Sequence, residues 1–375
     1  MIELTDELVG GIREAAWPSI RGQLGLSYVQ IGLLLSIPTI LSGLFEPMLG
    51  ILSDIRRRRV LVLSGGALFC LSLLLTAASP GFLVLLLSFV LFYPASGSFV
   101  SLSQAELMDR DPRRRDRNMA LWTFAGAAGA VVGPLALSAA SGLESGWRIL
   151  YALSAVLSVA VVLAASRAFP AGPPAAHNLD GQALSFGDGI RGALRALRRA
   201  SVVRWLALLE LANLMLDVLF GYLALYLVEV AGLTPAMAAF GVTLWTGAEV
   251  IGDLLLIPLL DRVDGLRYLR ISAATVAVLF PCFLLAGPFA IKLAIITAIG
   301  LLRAGWYAIL QARLYQSLPG QSGVALALMN VAGLAGALIP LGIGALAEGA
   351  GLRTVMWVLM AGPIALLVGL PRGTR

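Results

Sequence analysis

Charged side chains recur at helical spacing inside segments of the chain that are otherwise almost wholly apolar. Glu210, Asn213 and Asp217 stand at positions i, i+3 and i+7, so a helix would carry all three on one face. Near the start of the chain, a second charged group would fall within an arc of about 120° around a helix. This second group consists of Glu3, Asp6, Glu7, Arg13 and Glu14.

The chemistry that such residues favour is reversible proton binding. Burial disfavours the charged form of a carboxyl group, so an acid without a basic partner tends to hold a proton near neutral pH. Inside the apolar segments the acids outnumber the bases, Arg13 and Arg303. The alternative is that both bases only neutralise neighbouring carboxylates in structural pairs. We predict proton uptake and release by Asp217, Glu210, Asp6, Glu7 and Glu14.

Aromatic and polar residues beside these acids are candidates for contact with a small-molecule substrate. Arg303 is followed by Trp306 and Tyr307, and Trp17 shares the charged face of the first segment. We expect Arg303 to contact an anionic group or to act as a counter-ion. Aromatic residues are also common anchors at membrane interfaces, which is the alternative interpretation. The candidate substrate contacts are Arg303, Trp306, Tyr307, Trp17, Asn213 and Arg13.

The elements that must position these residues are membrane-spanning helices. Hydrophobic residues make up 59% of the 375 residues and charged residues 13%, whereas a soluble domain has roughly 25% charged residues. Most apolar segments reach the roughly 20 residues that a helix needs to cross a bilayer. We therefore predict an all-α integral membrane protein. The twelve predicted spans are 2–24, 28–52, 60–78, 81–105, 118–140, 147–168, 202–228, 236–260, 268–287, 289–314, 323–346 and 353–370.

The distribution of positive charge predicts the orientation of these spans. With the N-terminus inside, 21 of the 27 lysines and arginines fall in inner loops and the tail, and four fall in outer loops. This asymmetry follows the positive-inside rule and predicts that both termini are cytoplasmic, as in a protein of the cytoplasmic membrane. The arginine run 56–59 would then face anionic lipid head groups. No aromatic residues interleave with this charge, so we do not expect nucleic-acid binding.

The chain repeats itself at a constant offset of 207 residues. "GLS" at 25–27 falls on "GLT" at 232–234, and "QAEL" at 104–107 falls on "QARL" at 311–314. Such a repeat predicts two six-helix halves of the same orientation, 1–168 and 202–375. The connecting residues 169–201 read as a cytoplasmic linker that ends in an interfacial amphipathic helix. The repeat also predicts that the first span is shorter at its inner end than the seventh, by roughly two turns.

Two parallel six-helix halves and the loop after the second span resemble the major facilitator superfamily. The loop has Gly50, Leu52, Asp54, Arg58 and Arg59, although Arg57 stands where the family has glycine, and the second copy retains Asp261, Arg262 and Gly265. The resemblance implies that this loop latches the halves together, and that helices 1, 4, 7 and 10 line a central cavity. A carboxylate near a helix N-terminus would stabilise such a latch. The predicted gating residues are Gly50, Asp54, Arg58, Arg59, Asp261, Arg262, Glu46 and Asp253.

The fifth span resembles the glycine–proline motif of exporters in this superfamily. It reads "GAAGAVVGPLALS", in which small residues allow close helix contact and Pro134 supplies a bend. The predicted helix-bend residues are Gly129, Gly133 and Pro134. Tyr93 stands where many members have an arginine in helix 4, which argues against arginine-based proton coupling. The segment "LGLSYVQIGLLLSIP" is similar to the fosmidomycin-resistance type of exporter.

These observations predict a proton-coupled secondary transporter that exports a small amphipathic or anionic organic molecule by antiport. The alternative is a proton-coupled importer, or a lipid or organic-anion transporter, on the same scaffold. An intramembrane enzyme is disfavoured because the sequence has no His/Cys metal-ligand cluster, phosphate loop or nucleophile–base pair. We expect no cofactor or metal. The expected partners are the solute, protons and the lipid bilayer, and the protein is expected to be a monomer.

Overall fold

The computed structural model describes residues 1–55, 58–110, 115–143, 145–168, 196–318 and 322–371. Almost all of these residues are helical, and twelve membrane-length helical segments follow one another along the described ranges. The structure confirms the twelve predicted spans to within about five residues at each end. The predicted linker helix falls largely outside the described residues.

The first half contains six helices. They are α1 (Ile2–Leu24), α2 (Tyr28–Ile55), α3 (Arg58–Ala78), α4 (Phe82–Ser96, continued by the π-turn Gly97–Ser101 and Leu102–Arg110), α5 (Arg115–Ala140) and α6 (Gly146–Ala168).

The second half also contains six helices, four of which are irregular. They are α7 (Ala200–Asn213, Leu219–Leu225 and the π-turns Leu214–Val218 and Tyr226–Val230), α8 (Pro235–Leu260), α9 (Gly265–Leu285), α10 (Phe289–Leu302 and Trp306–Gln316), α11 (Ser322–Gly336 and Ile339–Ala350) and α12 (Leu352–Met356, Trp357–Met360 and Ala361–Gly369).

Eleven helices in the described ranges are long and apolar enough to cross a membrane. The remaining one, α1, carries the charged group from Glu3 to Glu14, yet it is packed into the bundle, with Ile12 and Trp17 almost fully buried. A helix with so many charges is unfavourable in lipid, so its position inside the bundle fits a role in lining a polar interior.

The fifth helix contacts α1 through its glycines. A Cβ atom at Gly129 would lie 2.4 Å from the carbonyl oxygen of Leu4, and one at Gly133 would lie 2.3 Å from that of Leu8. Only glycine permits this approach of the two backbones. Because α5 continues as a helix through Pro134, the close packing of α1 and α5 is the structural role that the described contacts assign to this motif.

The predicted repeat recurs in the local structure of the two halves. Gly25 and Gly232, which are 207 residues apart, both follow a helix end with positive φ (62° and 72°). Ser27 and Thr234, also 207 apart, each accept a hydrogen bond from a backbone N–H three residues later, at the start of α2 and α8. We call the end of the bundle with Gly25 and Gly232 the outer end and the end with Met1 the inner end, following the predicted topology.

Candidate functional site

A cavity formed by described residues lies between the halves and has a volume of about 660 Å³. The second half contributes Glu210, Asn213 and Asp217 from α7 and Tyr307 from α10. The sequence placed the three α7 residues on one face, and the structure turns that face toward the cavity. Arg13, Glu14, Leu35, Thr39 and Tyr93 line the cavity from the first half.

A smaller cavity lies within the first half and has a volume of about 400 Å³. Glu3, Asp6 and Glu7 of α1 line it, together with residues of α2, α4 and α5. Arg13 and Tyr93 line both cavities, so the two spaces meet at these side chains. The charged group of α1 therefore faces internal space, as the sequence predicts.

Arg13 is bound to Glu14 at this junction. The Nε and Nη2 atoms of Arg13 lie 2.9 and 2.8 Å from Glu14 Oε1, and Trp17 Nε1 donates to Glu14 Oε2 at 3.1 Å. The guanidinium lies 5.2 Å from the centre of the Tyr93 ring. Trp17 is fully buried, so it fixes Glu14 and does not line a cavity, contrary to its predicted role in a substrate pocket.

The other cavity acids lack a basic partner. Within the described part of the chain, Glu3, Asp6, Glu7, Glu210 and Asp217 form no ion pair. Asp6 accepts a hydrogen bond from Ser96 Oγ at 2.7 Å.

Glu210 is the most constrained of these acids. Its Oε2 atom is inaccessible and has no hydrogen-bond partner. A Cβ atom at Gly336 would lie 2.1 Å from this oxygen, so the carboxyl group rests against α11 where that helix is interrupted.

The structure places Arg303 away from both cavities. Its Nη2 binds the Glu249 carboxylate, its Nη1 lies 3.4 Å from Leu216 O, and its guanidinium stacks over Trp245 at 4.3 Å. Arg303 is 5% exposed, so in this conformation it is a counter-ion between helices and cannot contact a solute in the cavities. Trp306 is also buried and donates from Nε1 to Ser272 Oγ at 2.9 Å. The predicted contacts Asn213, Tyr307 and Arg13 do line a cavity.

The predicted inner gate is described in part. The side chains of Glu46, Asp54 and Arg58 lie outside the described residues, and Gly50 belongs to the same stretch of α2. Arg59 Nη2 donates to the carbonyl oxygen of Ser166 at 2.7 Å, which ties α3 to α6. Asp261 and Arg262 are exposed in the turn after α8. Asp253 accepts a hydrogen bond from the backbone N–H of Gly305 at 3.1 Å.

Asp264 is an inner-end residue that the sequence reasoning missed. Its carboxylate accepts from the N–H groups of Leu266 and Arg267 at the start of α9, and Arg313 Nη2 lies 3.0 Å away. Slight desolvation acts in the opposite direction, but these two N–H groups and the Arg313 guanidinium together lower the pKa of Asp264. An aspartate directly before a helix is a capping signal, and it could have been found.

The halves are closed at the outer end by a network that the sequence reasoning also missed. Arg21 Nη1 lies 2.9 Å from Glu229 Oε1, and the Tyr28 hydroxyl donates to Glu229 Oε2. The Arg21 guanidinium lies 4.2 Å from the Tyr28 ring centre, and Tyr28 N donates to Glu348 at 2.8 Å. Ser138 Oγ donates to Ala236 O at 3.0 Å, which joins α5 to α8.

Twelve helices in the described ranges, a polar cavity between two halves, and closure of the halves at one end define a secondary membrane transporter. The Major Facilitator Superfamily model matches residues 14–340, and the chain belongs to this family.

Solved transporter structures share this fold. A bacterial homologue of the human lysosomal transporter Spinster, in an inward-facing and occupied conformation, aligns with TM-score 0.82 and 13% identity, covering 98% of this chain and 94% of that one. The nucleoside transporter NupG aligns with TM-score 0.75 and 14% identity, covering 98% of each chain. The search of curated proteins found no match.

Proposed function

We propose that this protein exchanges protons for a small organic solute with a positively charged group, by alternating access across the cytoplasmic membrane. The observation that carries the proposal is the cavity between the halves, where Glu210 and Asp217 face internal space and form no ion pair with any described residue. Acids in such a place are costly unless they bind protons, cations or solute donors.

The sequence suggested an amphipathic or anionic solute, and the charge balance of the cavities favours a cation over an anion. The charge of Arg13 is neutralised by Glu14, and that of Arg303 by Glu249 outside the cavities. What remains is an excess of carboxyl groups, accompanied by the aromatic rings of Tyr93 and Tyr307. Aromatic faces attract organic cations, most strongly where water is excluded.

Competition for the same carboxyl groups favours antiport. A carboxyl group that holds a proton has lost the negative charge that would attract a cation, so proton binding releases the solute. With the predicted topology, the closed outer end makes this an inward-facing arrangement, ready to take a solute from the cytoplasm. Protons entering from outside would then drive export.

The test is transport by the purified protein in proteoliposomes under an imposed pH gradient. The probes are an aromatic amine that is cationic at pH 7, its neutral amide analogue, an aromatic carboxylate of similar size, and nucleosides, because a structural neighbour carries them. We expect movement of the amine against the proton flow and little movement of the carboxylate. Movement of solute together with protons would establish the importer alternative, and preferential transport of the carboxylate would refute the charge argument.

The variant that probes the coupling is Asp217→Asn, and the matched control is Glu106→Gln, an acid of α4 that lines neither cavity. Removing the titratable carboxyl group at 217 should abolish gradient-driven accumulation, while the control retains it. Full accumulation by Asp217→Asn would remove Asp217 from the proton pathway.

A further inference from the structure

The tenth helix is interrupted in the middle of the bundle. Its two segments, Phe289–Leu302 and Trp306–Gln316, are separated by three residues that end with Gly305 at φ +69°. A side chain is disfavoured at this φ, and a Cβ atom would also lie 2.0 Å from Leu256 Cδ2. The interruption is therefore specified by the sequence.

Breaking a helix frees backbone groups, and side chains from two other helices satisfy them here. The N–H of Gly305 donates to Asp253 Oδ1 of α8 at 3.1 Å. The Tyr268 hydroxyl of α9 lies 3.1 Å from both Leu302 O and Ala304 O. Backbone groups without a hydrogen-bond partner are unfavourable inside a membrane protein, so such caps stabilise the interruption.

The segments on both sides of the interruption are anchored differently. Trp306 is held on α9 by its bond to Ser272, one turn after Tyr268. Arg303, at the interruption, binds Glu249 of α8 and the carbonyl oxygen of Leu216, next to the cavity acid Asp217. The break thus lies beside the cavity, which Tyr307 of the inner segment lines.

The equivalent position in the first half is not interrupted. The residues 207 positions earlier, 96–98, lie at the start of the π-turn of α4, through which the chain remains helical. Leu61 stands at the position equivalent to Tyr268 and has no hydroxyl group to donate. Among the described residues, the interrupted helix and its tyrosine cap are found in the second half.

We propose that Asp253 and Tyr268 are positioning residues of the transport cycle, which hold α10 in its broken form and so keep its inner segment in the open arrangement of the cavity. The cap of Asp253 needs only an acceptor oxygen and no charge. Without the caps, the freed groups regain partners when the helix straightens, and the inner segment moves toward the first half. The inference rests on the proposed transport by alternating access, but its test uses conformation alone.

The experiment measures the distance across the inner end by double electron–electron resonance in proteoliposomes. Spin labels are placed at Arg117→Cys on α5 and Gln316→Cys on α10, both exposed, after Cys70 and Cys282 are replaced by alanine. We expect Asp253→Ala and Tyr268→Phe each to lower the population of the longer distance at least twofold. Asp253→Asn, which keeps the acceptor oxygen, should match the unmodified protein.

Tyr226→Phe is the matched control, because it removes another tyrosine hydroxyl bound to a backbone carbonyl, that of Leu284, away from the break. Equal distance distributions in the cap variants and this control would overturn the proposal. An effect of Asp253→Asn as large as that of Asp253→Ala would also overturn it, because charge and not capping would then be responsible. Should Tyr268→Phe fail to fold, the Asp253 pair decides alone. A shift in the distance without any solute transport would support the role of the capped break in α10 and refute the proposed function.

Discussion

Replacing Glu229 with alanine should weaken the closure of the outer end. The carboxylate receives hydrogen bonds from Arg21 and from the Tyr28 hydroxyl, and both belong to the opposite half. The side chains of Arg21 and Glu229 are 29% and 23% exposed, so solvent reduces the ion pair to about 1 kcal/mol. The tyrosine bond to a charged acceptor adds about 1 kcal/mol. The sum, about 2 kcal/mol, corresponds to about a 30-fold larger population of the outward-open state.

The assay follows the reaction of one cysteine in the cavity with a thiol reagent that does not cross the membrane. Leu35 lines the large cavity beneath the closed end, so Leu35→Cys reports opening when the reagent is outside. The native cysteines Cys70 and Cys282 are first replaced. While the outward-open state is the minor one, the labelling rate is proportional to its population and should rise about 30-fold in Glu229→Ala.

A graded series distinguishes the network from a general loosening of the bundle. Arg21→Ala removes the ion pair and Tyr28→Phe removes only the hydroxyl bond, so each should raise the rate about fivefold. Ser158→Ala, which removes a buried hydrogen bond within α6 away from the network, should leave the rate unchanged. Labelling of Glu229→Ala at the original rate would refute the reasoning, and so would an equal rise in Ser158→Ala.

Two further predictions concern stability. Gly129→Ala should lower the thermal unfolding temperature in detergent by several degrees, because its Cβ atom would overlap Leu4 O. The control is Gly142→Ala, which has open space around its Cβ position and should leave the unfolding temperature unchanged. Equal unfolding temperatures of the two variants would contradict the packing argument. Asp264→Asn should be less stable than the original protein at pH 7. A carboxyl group with a lowered pKa stabilises the fold fully above its unfolded pKa of about 4 and loses that contribution as the pH falls through the lower pKa of the folded state, so the difference should shrink as the pH falls below about 4. A difference that stays constant on acidification below that value would show that the charge of Asp264 is not the cause.

The sequence predicted the helices and the polar faces well because both depend on local spacing. Apolar length defined the spans, and the i, i+3, i+7 pattern placed Glu210, Asn213 and Asp217 on one side of α7. The direction of that side came from the resemblance to the major facilitator superfamily, which implies that helices 1, 4, 7 and 10 line a central cavity. The structure brings these three residues to the same cavity.

The same reasoning failed in α10, where the helix is not continuous. Arg303, Trp306 and Tyr307 share a face only if 3.6 residues complete each turn, and the break with Gly305 at positive φ removes that relation. Tyr307 therefore lines the cavity, while Trp306 is buried against α9. Gly305 gave a signal for the break, but its partners, Asp253 and Tyr268, lie on other helices and could not be read from spacing.

Polar contacts between helices could not be predicted from the sequence either. Lys292, one of the four positive residues counted in the outer loops, is buried in α10, where its Nζ donates a hydrogen bond to Phe283 O at 2.7 Å near the end of α9. The network of Arg21, Tyr28 and Glu229 joins residues about 200 positions apart. Periodicity identifies the side of a helix that is polar, but not the helix that faces it.

The repeat also allows the contacts of equivalent residues in the two halves to be compared. Ser96 and Arg303 occupy equivalent positions, each just before the distortion of its helix, and each bonds to a helix that lines the centre. In the first half the bond joins a hydroxyl to Asp6, so a proton on Asp6 changes the link between α1 and α4. In the second half a guanidinium links α10 to Leu216 and Glu249, and a proton on Glu249 would release it toward Asp217. In the proposed mechanism, this position couples proton binding to the relative placement of helices in both halves. Among the described residues, the interruption of the helix is found in the second half, where we propose that it allows a helix segment to move.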